Sequence, residues 1–115
     1  MLNEFALFAE GMAQFDEAEP LMRRALAIDE QSFGTEHPRV ALRLNNLATL
    51  LKATNRLAEA EPLMRRALAI FVASIGPEHP SKRAVTGNYA GLLTAMGRTD
   101  TEIAAALESV KSAAP

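Results

Sequence analysis

Residues 17–28 read EAEPLMRRALAI, and residues 59–70 repeat all twelve letters, 42 positions further on. An internal repeat of this length means that one supersecondary unit is used more than once, so the fold is an array. The match extends past the dodecamer. Ser32, Gly34, Glu36, His37 and Pro38 align with Ser74, Gly76, Glu78, His79 and Pro80. Asn46, Ala48, Leu50, Leu51, Ala53 and Arg56 align with Asn88, Ala90, Leu92, Leu93, Ala95 and Arg98. In the other direction, LNEFA at residues 2–6 falls under LNNLA at residues 44–48. The chain thus enters the pattern partway into a unit, and we expect a fragment of a longer repeat protein.

Composition narrows the class. Apolar residues make up 49% of the chain but aromatics only 5%, and this Ala- and Leu-rich mixture suits closely packed helices rather than a β-sandwich. With no Cys, disulfides and thiolate metal sites are excluded. A formal net charge of −2 argues against non-specific nucleic-acid binding. No stretch reaches the roughly 20 apolar residues of a membrane span. Glu4 and Glu10, with no early Lys or Arg, are unlike a secretory signal, so a cytoplasmic location is expected.

Each unit reads as two helices. The best copy of the first spans residues 38–54, where Val40, Leu44, Leu47 and Leu51 form a helical stripe and Pro38 suits the first helical position. Asn55-Arg56 ends it, as Gly97-Arg98 ends the next copy. The second helix is expected over residues 16–33 and again over 58–75. Asp16 with Glu19 has the spacing of a capping box, and Pro20 and Pro62 place both helix starts nearby. Ala18, Met22, Ala25 and Leu26 form its buried stripe, and Met12, Met22, Met64 and Met96 fall on core faces as gap-fillers. Glu19 with Arg23, and Glu61 with Arg65, are i,i+4 pairs. Gly34 and Gly76 cap the ends. Residues 99–112, opened by Thr99 and Glu102, carry Ile103, Ala106, Leu107 and Val110 at helical spacing and read as a more polar capping helix. The expected fold is an all-α array of six helices in three antiparallel pairs. Its units cover residues 1–33, truncated at the start, 38–75 and 80–112.

Leu47-Ala48, Leu51, Ala60, Met64 and Ala67 lie at the spacings of the tetratricopeptide repeat. The 42-residue period, the string LNNLATLLKATNRLAEAEPLMRRALAI and the Gly-x-Glu-His-Pro connector resemble the longer kinesin-light-chain type of that repeat. The likeness covers about residues 2–98 and points to a bacterial array. It implies a right-handed α-solenoid whose first helices line a concave groove that binds peptides or extended protein segments. Kinesin light chains use such grooves for acidic peptides, whereas bacterial arrays have many unrelated partners.

The residues themselves support a candidate groove. Asn45, Asn46 and Asn88 sit on first helices, and an Asn amide can pair with an extended backbone whatever its side chains are. The resemblance makes Asn46 and Asn88 peptide contacts; the alternative is that these amides tie one helix to the next. Asn3 is the equivalent of Asn45 in the first unit. Residues three and four apart share a helix face, which adds Leu42, Thr49, Lys52 and Ala53 to the strip. Arg39 and Arg43 flank it, and Lys82 and Arg83 open the next first helix. Such a surface favours an acidic ligand; the plainer alternative is an ordinary solvated face.

Other chemistry finds little footing. His37 and His79 recur one unit apart, without ligands converging on one point, and capping of the following helix accounts for them better than a metal. Arg23-Arg24 and Arg65-Arg66 stand beside Glu19 and Glu61, which favours a solvated outer face over phosphate binding. No glycine-rich phosphate loop, catalytic triad order or apolar carboxylate pair is present, so neither enzyme activity nor a cofactor is expected. The reading is a non-catalytic module that binds a protein or peptide partner, as a monomer or weak homo-oligomer. Its alternative is a structural spacer, or a segment that self-associates through Leu2, Phe5, Phe8 and Met12. A regulatory subunit beside a catalytic domain is a third.

Overall fold

The chain turns back wherever one residue accepts a left-handed backbone. In the computed structural model, which describes the backbone of residues 4–74 and 80–113 and the side chains of 14–74 and 80–112, this happens at Gly34, Asn55 and Gly97. Five helices result: α1 (Glu4–Phe33), α2 (Pro38–Ala53), α3 (Leu57–Ser74), α4 (Pro80–Ala95) and α5 (Asp100–Ala113). Among the described residues there is no strand, and no helix is long and apolar enough to cross a membrane.

The ends of α2 and α4 share one geometry. Arg56 N–H donates to the Leu51 carbonyl and Asn55 N–H to that of Lys52; Arg98 and Gly97 do the same to Leu93 and Thr94. These are the paired bonds of a Schellman cap, with Asn55 at φ +61° and Gly97 at +85°. The starts are capped as well. His37 Nδ1 accepts from Arg39 N–H at 3.1 Å, and Pro38 follows at the first helical position. Thr99 and Glu102 form a reciprocal capping box, with bonds of 3.2 and 2.9 Å. His79 and Gly76 lie outside the described residues.

The first unit departs from expectation. Two helices were expected there, and α1 is continuous over 30 residues, so the described helices number five rather than six. The cause is visible in the register. Ala13 stands where the next units have Asn55 and Gly97, and the Ala side chain disfavours the left-handed conformation that the turn requires. Asp16 and Glu19 accordingly form no cap, and Pro20 lies in mid-helix instead of near a start. Glu19 serves a different purpose: it accepts from Arg23 at 3.0 Å and pairs with Arg56, which also holds Glu59.

The core lies between α2, α3 and α4. Val40, Ala41, Leu44, Leu47, Ala48 and Leu51 of α2 meet Ala60, Met64, Ala67, Leu68, Ile70 and Phe71 of α3, and α4 adds Val85, Tyr89, Leu92 and Leu93. The alanines are fully buried and let helices approach closely, while each large apolar side chain removed from water contributes about 1.5–3 kcal/mol. From α5, only Val110 is fully part of this core, with Ile103, Ala106 and Leu107 packed at its edge. Ala18, Met22, Ala25 and Leu26, expected to be buried, are only partly so. The radius of gyration is 15.3 Å, against about 13 Å for a compact domain of this length, as an array requires.

Two predictions follow from the caps and the Arg56 clamp. Gly97→Ala should cost about 1 kcal/mol in urea unfolding because of its positive φ. Gly87→Ala, in α4 with open space around the site, should stabilise by up to about 1 kcal/mol. The second concerns acid. Hydrogen bonds from Arg56 hold the Glu19 and Glu59 carboxyls below the usual range. A depressed folded pKa gives stability that is present above the unfolded value and lost as pH falls through the folded one. Urea midpoints measured on acidification should therefore drop below about pH 4.5, and less steeply in Arg56→Ala.

Candidate functional site

The candidate groove residues gather on the two first helices, α2 and α4, beside the bare flank of α1. Asn88 Nδ2 donates to Asn45 Oδ1 at 3.1 Å, joining α4 to α2. The Thr49 hydroxyl donates back to the Asn45 carbonyl at 2.8 Å, one turn below, and both Thr49 and Asn46 stay exposed. These residues wall an open cleft of about 670 Å³. Its apolar floor comes from Phe15, Ala18 and Met22 of α1 with Leu50 and Ala53 of α2, and Gln14 closes one end.

A smaller cleft of about 240 Å³ adjoins it, lined by Arg39, Leu42, Arg43 and Asn46. Asn46 is common to both. Leu42 is 46% exposed, an apolar side chain left at the surface of a helix whose other leucines are buried. Phe33, itself exposed, stacks on His37 at 4.8 Å between ring centres, and the Arg39 guanidinium lies 5.3 Å over the Phe33 ring.

The cations are not equivalent. Arg43 Nε donates at 2.7 Å to Asp29, the one polar residue among those described that is buried. The Arg43 side chain stays 40% exposed, and its charge is paired with the buried carboxylate. Lys52 leans over α4, its ammonium 3.4 Å from where a Cβ on Gly91 would sit. Lys82 is half-buried at the start of α4, and its carbonyl accepts from Thr86 at 2.7 Å. Neither lysine lines the two clefts above. Asn3 lies outside the described residues. The second-helix pairs formed as expected, with Glu19 to Arg23 at 3.0 Å and Glu61 to Arg65 at 3.4 Å. Arg66 reaches across to Glu30 of α1 at 2.9 Å and to the Thr35 carbonyl at 3.1 Å.

Two polar contacts escaped the sequence reading, although the register held their signal. Asp29 and Arg43 occupy the positions of Phe71 and Val85 in the next unit, so an ion pair stands in the register of an apolar pair. Tyr89 stands at the position of Leu47. It is buried, and its hydroxyl donates to Glu61 Oε2 at 2.6 Å. Burial, followed by the hydrogen bond and charge of Glu61, raises the phenol pKa, which keeps the donor proton in place.

The ion pair can be tested directly. Arg43→Ala leaves the Asp29 carboxylate without its donor and should cost about 1–3 kcal/mol in chemical unfolding. Asp29→Phe combined with Arg43→Val copies the next unit and should restore most of that loss; equal destabilisation in both variants would refute the compensation.

The spacing of these elements now bears on ancestry. The sequence profile of a family described as tetratricopeptide repeat matches residues 1–73 and again residues 42–113. No curated protein is similar enough to the chain to count as a relative. The two overlapping matches, displaced by about one unit of the internal repeat, span nearly every residue of an all-helical structure with paired helices and capped turns. The chain belongs to the tetratricopeptide repeat family.

Proposed function

We propose that the chain is a non-catalytic interaction module that binds an extended protein segment along α2 and α4, the groove-lining helices of a right-handed superhelix. Tetratricopeptide repeats generally mediate protein–protein interaction, and that much comes with the family. The observation carrying the finer reading is the exposure of Asn46 and Asn88 over the apolar cleft; the Asn45–Asn88 bond is itself the helix-to-helix tie that stands as the alternative for these amides. That bond aligns amides of two successive first helices while using one N–H and one carbonyl oxygen. Asn88 keeps a second N–H and its own carbonyl for a ligand, and Asn46 stands exposed beside them. An extended peptide backbone presents alternating donors and acceptors, and an amide can pair with either.

Charge supports an acidic ligand in the manner of kinesin-light-chain-type repeats. With Arg43 paired to Asp29, the preference falls on Arg39, which lines the smaller cleft, while Lys52 lies outside both clefts. Leu42 and the apolar floor at Phe15, Ala18 and Met22 offer places for large side chains between the polar contacts. A cytoplasmic setting is consistent with a chain free of cysteine. The second reading, a spacer within a longer solenoid, is favoured by Leu21 and Ile28, which stand 68% and 53% exposed on α1.

Selection of short displayed peptides on the immobilised chain tests the first reading. Acidic sequences should be enriched, and the selected peptides should bind Asn46→Ala/Asn88→Ala at least about tenfold more weakly, equivalent to about 1.4 kcal/mol. Circular dichroism should be unchanged. Selected peptides that bind the double variant as well as the parent chain would remove the groove from consideration.

A further inference from the structure

The two copies of the dodecamer have the same letters and different surroundings. In α3, Ala60, Leu68 and Ile70 are fully buried and Met64 is 1% exposed. Their counterparts in α1 are Ala18, Leu26, Ile28 and Met22. Three of them are only partly buried and Ile28 is 53% exposed. Identical residues cannot differ through their own hydrophobicity, so the difference lies in what covers them. Helix α3 packs against α2 of its own unit, and then against α4 and α5. Helix α1 packs against α2, the first helix of the following unit, and among the described residues no first helix of its own unit lies against it.

The register names the missing cover. Residues 2–12 correspond to residues 44–54. At the buried positions Leu44, Leu47, Ala48, Leu50 and Leu51, the counterparts are Leu2, Phe5, Ala6, Phe8 and Ala9, all apolar. The segment therefore carries the pattern that this face requires. It cannot supply it in cis, because α1 runs straight through Ala13. Ten further residues of helix at 1.5 Å each carry the segment about 15 Å onward along the axis, away from the cleft that begins at Gln14 and Phe15.

We propose that a second copy of the chain supplies the cover, each protomer laying residues 4–13 of its α1 on the bare face of the other's α1 and α2. The exchange is reciprocal, so the contact closes as a two-fold dimer, and it uses an interface already encoded by the repeat. Ala13 is the determinant: the residue that keeps α1 straight is the one that sends the segment to a partner. This inference does not rest on the peptide reading: the second copy covers Ala18 and Met22, the floor of the candidate cleft, so a dimer and a bound peptide compete for that floor, and sedimentation without peptide reports on the dimer alone.

Sedimentation equilibrium of the full chain, across low to high micromolar concentrations, is the test. The expected mass is about twice the 12.4 kDa of the monomer. Ala13→Asn with Gln14→Arg installs the turn found at Asn55-Arg56, returns the segment in cis and should give a monomer of unchanged helix content. Met22→Glu places a charge on the covered face and should weaken dimerisation at least about tenfold. If the turn variant loses helix content, Met22→Glu alone decides. A chain that is monomeric at every concentration overturns the proposal and leaves the face to a preceding unit or a different protein. A dimer that survives Met22→Glu, or that survives the turn variant with helix content intact, overturns it as well.

Discussion

Among the described residues, each turn between helices holds a residue with a left-handed backbone, and the architecture of this chain depends on where that residue is available. Asn55 and Gly97 provide it, and α2 and α4 each fold back into a pair closed by the same two backbone bonds. Ala13 does not, and α1 runs on. The energy involved is small, roughly 1 kcal/mol for an Ala in place of Gly at such a position, yet it decides whether the second helix of a unit is covered or bare. The exposure of Ile28 goes with a helix that, among the described residues, packs only against α2, whereas the Asp29–Arg43 pair is a separate difference between the two units.

The scaffold was legible because it repeats. Periodicity gave α2, α3, α4 and α5 to within a residue or two, since apolar spacing, Pro38, Thr99 and Gly97 all act locally. The first unit misled because Asp16, Glu19 and Pro20 carry the signature of a helix start without a residue before them that can turn the chain. A capping box marks where a helix can begin; it does not break one that is already running. The buried stripe of α1 misled for a different reason, as burial depends on a neighbour and the dodecamer encodes only its own half of the contact.

The candidate site was legible in part. Helical geometry sufficed to put Asn45, Asn46 and Thr49 on one surface, but it could not foresee that Asn88 would spend a donor on Asn45 or Arg43 its charge on Asp29. Both are contacts between helices, so they depend on the relative placement of two elements. Comparison of the copies with one another holds more information here than either copy alone. Where Phe71 and Val85 give way to Asp29 and Arg43, the substitution is paired across two helices, and Tyr89 in place of Leu47 acquires Glu61 as its acceptor.

The uneven sharing of neighbours among the helices also has a mechanical side. α3 is held by α2, α4 and α5, whereas α1 is held by α2, with Arg66 and Arg56 as outlying fasteners to Glu30 and Glu19. Pulled from its N-terminal end, the chain would yield in two stages: α1 would peel away first, loading its few attachments one after another, while the body around α3 would have to rupture all at once. A linear stack of this kind distributes force unequally by construction, so the element most available to a partner is also the first to let go.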